Sequence, residues 1–297
     1  MVSITKRTVQ GKIYHYLSYS YKENDKVLVI EKSIGREIPS VEILEKIKEE
    51  FIRDIVVKRW IPFIDDFNEK YNKKLEEQPK ILKTKNLKDF GVRFTHHSNK
   101  IEGSTLTLRE VAAAINEKDV IIKKPVYEIN EAQLHMKCYE DMVSTTSELS
   151  LELIIKWHEI LFSLHIDRSN LAGIVRKGDI YIQGSKHVPP TYPQPLLDDL
   201  FWWYNEKKDK IHPVLLACLM HYRFEFIHPF SDGNGRMGRL LMNYILFKNN
   251  YLMFNIPAKI KLSYYHALER SDLSEDEMHF VGWFFRTYIK SFEDIII

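Results

Sequence analysis

The stretch HPFSDGNGRMGR, from His228 to Arg239, joins an apolar run at 213–227 to a new helical pattern at 236–247. Gly233 and Gly235 allow a sharp backbone turn there and leave N–H groups open at the start of the second helix. Unpaired amides and the helix dipole favour an anion at such a start. The stretch therefore predicts a phosphate-binding loop between two helices.

The polar side chains of this stretch suit phosphate chemistry. Arg236 and Arg239 lie three residues apart, so they occupy neighbouring positions on the helix and present planar, charged forks to successive phosphates. Asp232 suits a Mg2+ ion that bridges to the phosphates, and His228 is a base near neutral pH. Each residue alone would also fit an ordinary capped helix start, but the whole set at this spacing favours a catalytic site.

Two other phosphate-binding loops do not fit. The sequence contains no GxxxxGK[ST], which excludes a P-loop. Gly233, Gly235 and Gly238 satisfy GxGxxG, but the run before them is helical rather than strand-like. No acidic residue between Leu240 and Leu268 could hold a ribose. A dinucleotide-binding fold is therefore not favoured.

At these residues the chain resembles the Fic (Fic/Doc) family, whose signature HPFx[D/E]GNGRxxR is complete here. The resemblance implies a mainly α-helical Fic-type bundle with a β-hairpin flap. It also implies transfer of AMP from ATP to a Tyr, Ser or Thr hydroxyl of a target protein, with Mg2+ as cofactor. The resemblance implies that His228 is the base that deprotonates the acceptor hydroxyl and that Asp232 is the Mg2+ ligand. It implies that Gly233, Asn234 and Gly235 form the anion hole. Arg236 would bind the phosphate chain, and Arg239 would bind the γ-phosphate.

A second motif, SNKIEG at 98–103, resembles the [S/T]xxxE[G/N] inhibitory motif of the same family. The resemblance implies that Ser98, Glu102 and Gly103 belong to an N-terminal inhibitory helix. Glu102 would pair with Arg239 and displace the γ-phosphate, since a carboxylate matches a guanidinium fork well. The alternative is an ordinary exposed acid before a turn.

The segment 172–190, called the flap segment below, has two short β-prone runs separated by Lys177, Gly178 and Asp179. This pattern predicts a hairpin. In the family such a flap covers the active site and pairs with an extended part of the target, although a plain surface hairpin is the alternative. The implied target-docking residues are Gln183, Gly184, Ser185, Lys186 and His187.

Tyr264 and Tyr265 lie where the family often places a tyrosine against the adenine base. The alternative for both is packing in the core. Trp202 and Trp203 are expected to pack the helix after the flap segment into the core.

Composition narrows the class of protein. The net charge is only +2 although 28% of the residues are charged, so electrostatics give no support for nucleic-acid binding. Cys138 and Cys218 lie in apolar helical surroundings and suit reduced, buried thiols. No apolar signal core or membrane-spanning run is seen, so we expect a cytoplasmic protein without a membrane partner.

Along the chain, three regions are predicted. Residues 1–38 read as a small antiparallel β meander of unknown role, 39–140 as a helical region with the inhibitory motif, and 141–297 as the catalytic core. The lysine-rich stretch from Glu77 to Phe90 reads as a solvated connector. Thr107 and Glu110 form a capping box that predicts a helix start.

The leading function is therefore an autoinhibited protein adenylyltransferase. Two alternatives stay open: the same site could remove AMP or transfer another phosphate-containing group, or the chain could be a nucleotide-responsive binding module without catalysis. The expected partners are ATP and an unidentified target protein, and a homodimer is allowed.

Overall fold

A computed structural model describes residues 2–23, 25–116, 123–164, 169–182 and 184–293. In this part the chain forms three strands and then eleven α-helices, with two short 3-10 helices at Ser169–Leu171 and Ala258–Ile260. The strands are Val2–Val9 (β1), Lys12–Glu23 (β2) and Lys26–Gly35 (β3). The helices are Val41–Arg59 (α1), Ile61–Glu76 (α2), Lys80–Ile101 (α3), Leu108–Asn116 (α4), Val126–Ser144 (α5), Leu151–Phe162 (α6), Pro193–Lys207 (α7), Pro213–Ile227 (α8), Asn234–Lys248 (α9), Lys261–Ser274 (α10) and Met278–Glu293 (α11). The expected fold class, mainly α with a small N-terminal antiparallel sheet, is confirmed.

The sheet has the order β1-β2-β3 with antiparallel pairs. Gln10 and Gly11 both have positive φ, 50° and 75°, as a two-residue hairpin turn requires, and they join β1 to β2. Leu17, Ser18 and Tyr19 are buried at the middle of β2, the strand that pairs on both sides. The predicted meander is therefore present.

The chain divides into two units, residues 1–69 with 270–297 and residues 70–269. The first unit has an aromatic core in which the rings of Trp60 and Phe285 stack at 5.1 Å. The second contains α3 to α9, and its helix α8 is buried almost all round, as expected of a helix that is apolar on every face. The predicted region boundaries after residues 38 and 140 stay predictions.

Both cysteines, Cys138 on α5 and Cys218 on α8, are buried free thiols, as predicted. Among the described residues, every helix is too short or too polar to cross a membrane.

The stretch Glu77–Phe90 is solvated as predicted, since its residues are exposed or half-buried, but it is not a mere connector, because α3 begins at Lys80. Lysine and leucine are good helix formers, and α5 packs closely on this stretch. The Tyr139 hydroxyl donates to the Leu87 carbonyl at 2.9 Å. A Cβ on Gly91 would lie 2.5 Å from the Tyr139 ring, so a glycine is needed for this close approach.

The predicted β-hairpin of the flap segment is also wrong, because its described residues contain no strand. Its backbone groups bond instead to the Arg176 side chain and to neighbouring loops, as described below. The prediction that Trp202 packs in the core is wrong as well, since its side chain is 68% exposed on α7. Trp203 lies under the Arg223 guanidinium at 4.1 Å.

Candidate active site

His228 is held at the end of α8 in a left-handed conformation, with φ 50° and ψ 60°. Its ring Nδ1 lies 3.3 Å from the Glu225 carbonyl. Burial lowers the pKa of His228 to about 4, although the Glu225 carbonyl opposes the shift. A carbonyl can only accept, so Nδ1 carries the hydrogen of the neutral ring and Nε2 keeps its lone pair. The ring is therefore neutral at neutral pH, and the Nε2 lone pair is its acceptor for a proton.

The loop after His228 is fixed by the Asn234 side chain. Its Oδ1 accepts from the Phe230 amide at 2.8 Å, and its Nδ2 donates to the Phe230 carbonyl at 2.7 Å. The Phe230 ring stacks on His158 of α6 with centroids 3.8 Å apart. The Asn234 side chain therefore holds the loop together through the Phe230 backbone, which leaves the Asn234 amide as its group for the predicted anion hole.

His158 on α6 supports the loop as well, although it belongs to no motif of the sequence. Its Nε2 donates to the Asp232 carbonyl at 3.0 Å, and its Nδ1 accepts from the Gly173 amide at 2.9 Å. Burial lowers the pKa of His158 to about 4, which keeps this neutral tautomer in place. The ring thereby links the motif loop to the start of the flap segment.

Helix α9 begins at Asn234 with Gly233 as its N-cap, and no side chain caps it. Gly233 has φ 81°, and a Cβ there would lie 2.7 Å from the Phe162 ring. Only glycine fits this position without strain. A helix start of this kind favours an anion, and the anion hole at Gly233, Asn234 and Gly235 stays a prediction.

Arg236 is buried and joins two carboxylates. Its Nη2 lies 3.2 Å from Asp232 Oδ1, and its Nη1 lies 3.3 Å from Glu131 Oε1 on α5. Asp232 Oδ1 also accepts from the Gly233 amide at 2.6 Å. Glu131 has no signal in the sequence that would have identified it.

Asp232 is the carboxylate predicted to hold Mg2+. The described residues contain no group of three or more His, Cys, Asp or Glu able to hold a metal ion. A single carboxylate is nevertheless sufficient for Mg2+ when substrate phosphates and water supply the remaining ligands. Asp232 beside the start of α9 fits that arrangement.

Arg239 is 1% exposed and reaches the end of α3. Its Nη2 donates to Glu102 Oε1 at 2.5 Å, and its Nε donates to Ser98 Oγ at 3.0 Å. The Ser98 carbonyl accepts a further bond from Nη2 at 3.1 Å. Burial alone would lower the pKa of Arg239, but the nearby Glu102 carboxylate outweighs it and the pKa is raised. The expected pair of Glu102 and Arg239 is thus formed, while its inhibitory role stays a prediction.

Gly103 explains how Glu102 reaches this position. Helix α3 ends at Ile101, and Gly103 follows with φ 106°. The Ser104 amide bonds the Asn99 carbonyl at 3.0 Å and the Gly103 amide bonds the Lys100 carbonyl at 3.2 Å, the double closure of a Schellman motif. The chain therefore turns directly after Glu102 and leaves its carboxylate against α9.

The Glu102 carboxylate lies against the start of α9. A Cβ on Gly235 would collide with Glu102 Oε1 and lie 2.9 Å from Arg239 Nη1. The carboxylate thus occupies space beside the predicted anion hole.

Glu128 of α5 fixes the turn after the inhibitory motif. Its carboxylate accepts from the Thr105 amide at 2.6 Å and from Ser104 Oγ at 2.9 Å. Burial would raise the pKa of Glu128, but these hydrogen bonds lower it. The predicted capping box follows directly, because Thr107 and Glu110 bond reciprocally at the start of α4.

The two tyrosines differ in accessibility. Tyr264 is 1% exposed, and its hydroxyl lies 2.9 Å from His221 Nε2, so its ring is packed in the core. Tyr265 is 41% exposed, and its hydroxyl donates to the Ile101 carbonyl at 3.2 Å, beside Glu102. Tyr265 is therefore the better placed of the two for an adenine base.

The described part of the flap segment lies close to His228. The Lys186 amide donates to Glu269 on α10 at 2.8 Å, and His187 Nε2 donates to the Phe226 carbonyl at 3.0 Å. Gly184 has φ 80°, and the Ser185 amide bonds the Ile182 carbonyl at 3.1 Å. Gln183 lies outside the described residues. The target-docking role of these residues stays a prediction.

Comparisons with known proteins agree with the motifs. Residues 148–246 match the model of the Fic/DOC family. The protein adenylyltransferase Fic of Drosophila grimshawi is 35% identical over 180 residues, which cover 59% of this chain and 36% of that protein. The corresponding protein of Drosophila willistoni is 35% identical over 181 residues, 59% of this chain and 35% of its own length. The chain thus spans about 36% of the length of these curated relatives.

Solved structures show the same fold. A Fic family protein from Desulfovibrio desulfuricans G20 is 27% identical with a TM-score of 0.67, over 82% of this chain and 74% of its own. A Fic-domain signaling protein from Bacteroides thetaiotaomicron is 25% identical with a TM-score of 0.67, over 77% of this chain and 94% of its own. Fic-1 of C. elegans (residues 134–508) is 23% identical with a TM-score of 0.72, over 87% of this chain and 78% of its own. At this identity it shows the fold alone. Residues 148–246 therefore form a Fic domain, within a fold that these solved Fic proteins share.

Proposed function

We propose that this chain is an autoinhibited protein adenylyltransferase that transfers AMP from ATP to a hydroxyl side chain of a target protein. The observation that carries the proposal is a neutral imidazole, His228, beside the uncapped start of α9 with its two buried arginines. The relatives named protein adenylyltransferase Fic support the same reaction. ATP and Mg2+ are part of the proposal.

In the proposed reaction the base activates the acceptor hydroxyl, and the start of α9 stabilises the phosphates. Nε2 of His228 takes the proton from the acceptor hydroxyl, and the oxygen attacks the α-phosphorus of ATP. The new P–O bond forms as the bond from the α-phosphorus to the bridging oxygen breaks, and pyrophosphate leaves. The α9 amides and the Arg236 guanidinium stabilise the charge on the phosphate oxygens, so catalysis depends on positioning and electrostatics.

Asp232 is the residue that would hold Mg2+ together with the phosphates. The ion would neutralise negative charge on the phosphate chain. Arg236 keeps the Asp232 carboxylate in place through its contact at 3.2 Å.

Inhibition follows from competition for Arg239. The γ-phosphate and Glu102 are both anions that suit the same guanidinium, and in the resting chain Nη2 donates to Glu102. The carboxylate also lies beside the helix start that the phosphates would use. The resting chain therefore binds ATP weakly or in a non-productive position.

The test uses ATP labelled separately at the α and γ phosphates, with Mg2+, and three chains: wild type, Glu102→Gly and Glu102→Gly with His228→Ala. We expect the α label alone to become attached to protein, most rapidly in the Glu102→Gly chain, and no attachment without His228. Attachment of the γ label would instead indicate phosphorylation. Binding of ATP with attachment of neither label would favour a binding module.

A further inference from the structure

Arg176 is the most extensively bonded side chain of the flap segment, and no role assigned above uses it. It is 7% exposed, although it lies in a loop. All of its hydrogen-bond partners named here are backbone carbonyls rather than carboxylates. A buried guanidinium in such surroundings has a structural or functional reason, because burial of a charge is costly unless its donors are satisfied.

The first group of carbonyls lies at the two ends of the flap loop. Nη1 donates to the Gly178 carbonyl at 2.6 Å, and Nη2 donates to the Pro190 carbonyl at 2.7 Å. The same ends pair directly, since the Gly178 amide bonds the Thr191 carbonyl at 3.2 Å. Arg176 therefore closes the loop whose tip is predicted to meet the target.

The second group lies at the catalytic end of α8. Nε donates to the His228 carbonyl at 2.8 Å, and Nη2 donates to the Ile227 carbonyl at 3.2 Å. The Arg176 amide adds a bond to the Pro229 carbonyl at 2.9 Å. Residues 227–229 enclose the left-handed turn at His228, a conformation that is uncommon for residues other than glycine.

We infer that Arg176 is a positioning residue, which sets the backbone of His228 and the ends of the target-docking loop with one guanidinium. The inference rests on the proposed transfer reaction and adds a residue to it. The planar fork suits the task because its five donors point in fixed directions, whereas a lysine has three donors on a flexible stem. Any movement of the loop ends is transmitted through this side chain to the His228 carbonyl.

The test compares Arg176→Met, Arg176→Lys and Lys177→Met, each in the Glu102→Gly chain. Lys177 is the adjacent exposed cation, so Lys177→Met controls for loss of charge in the same loop. The measurements are the rate of AMP attachment from α-labelled ATP, the affinity for ATP, the rate of chymotrypsin cleavage after Tyr181 and the nitrogen NMR spectrum of the His228 ring. Tyr181 is 80% exposed in the flap segment, which makes it a direct reporter of the loop.

With Arg176→Met we expect attachment to slow by about 100-fold, the loss that a displacement of about 1 Å can cause. ATP affinity should stay unchanged, cleavage after Tyr181 should accelerate, and the His228 ring should lose its single Nδ1–H tautomer. The attachment rate and the Tyr181 cleavage rate of Arg176→Lys should lie between those of Arg176→Met and of the parent. If Arg176→Met does not fold, the same measurements are made on Arg176→Lys. Lys177→Met should behave as the parent.

An unchanged attachment rate or unchanged cleavage after Tyr181 in the Arg176 variants would overturn the inference, as would an equal effect of Lys177→Met. If the parent Glu102→Gly chain attaches no AMP, the proposed function fails instead. Cleavage after Tyr181 and the His228 spectrum would then still decide whether Arg176 holds both elements.

Discussion

Replacement of Glu102 should strengthen ATP binding by an amount that follows from its contact with Arg239. The Glu102 side chain is 35% exposed, whereas that of Arg239 is 2% exposed, and the two meet at 2.5 Å. A hydrogen bond between charged groups is worth about 1.5–3 kcal/mol. Solvent screening at Glu102 places this pair at the lower end of that range. Since about 1.4 kcal/mol corresponds to a tenfold change in an equilibrium, Glu102→Gly should raise ATP affinity about tenfold.

Two further variants make the expectation sharper. Glu102→Gln keeps a neutral acceptor of the same size, so it should raise the affinity by only about threefold to fivefold, in line with the smaller worth of a neutral hydrogen bond. Glu110→Gln removes another acid, in the first turn of α4, whose carboxylate bonds Thr107, and it should leave the affinity unchanged. The affinity for ATP should therefore be highest in Glu102→Gly, lower in Glu102→Gln, and lowest and equal in the wild type and Glu110→Gln.

Isothermal titration calorimetry with ATP and Mg2+ measures these affinities directly. Thermal unfolding gives a second readout, because Glu102→Gly leaves the buried Arg239 guanidinium with Ser98 as its partner and should lower Tm in the absence of ATP. ATP should then raise Tm more in the variant than in the wild type. Equal affinities for the wild type, Glu102→Gln and Glu102→Gly would refute competition at Arg239.

Three other predictions concern the supports of the site. Gly103→Ala places a Cβ at φ 106° and should lower the free energy of unfolding by about 1–2 kcal/mol in urea titrations; equal stability would contradict the turn described here. Glu128→Gln weakens the acceptor of the Thr105 amide, so hydrogen exchange at Thr105 should accelerate, and unchanged exchange would count against that support. Burial lowers the pKa of His135 and His221 to about 3 and of His97, His158 and His228 to about 4. The unfolded chain binds these protons near pH 6.5, so the free energy of unfolding should fall as the pH drops from about 6.5 to about 4. Stability that is constant over this window would show that these rings are not buried as neutral groups.

The motif loop could be predicted from the sequence because its parts are neighbours in the chain. Glycines that permit the turn, the start of α9 and the base that precedes it all lie within HPFSDGNGRMGR. The capping box of α4 is local in the same way. The pairing of Glu102 with Arg239 joins residues 137 positions apart, and only the family resemblance pointed to it.

The supports of the loop could not be predicted, because their partners are distant and mostly backbone atoms. Arg176 and the His228 carbonyl are 52 positions apart, and His158 and the Asp232 carbonyl are 74 apart. Every residue has a backbone carbonyl, so the sequence does not indicate which carbonyl a side chain will bond, and neither contact could be predicted from it. The same reason applies to the wrong hairpin: the Arg176 amide, at the end of the first β-prone run, bonds the distant Pro229 carbonyl instead of the second run.

Ser98 and Glu102 contact Arg239 in different ways, and the proposed competition between Glu102 and the γ-phosphate depends on that difference. Ser98 lies within α3 and holds Nε, which fixes the direction of the guanidinium. Glu102 lies one residue beyond the last residue of α3 and holds Nη2, with Gly103 directly after it. Rotation of the Glu102 side chain alone would remove its bond to Nη2, while Ser98 keeps Arg239 in place through its Oγ and its carbonyl. Activation in the proposed mechanism therefore needs no unfolding of α3, and its energetic cost is that of one partly exposed ion pair rather than of a helix.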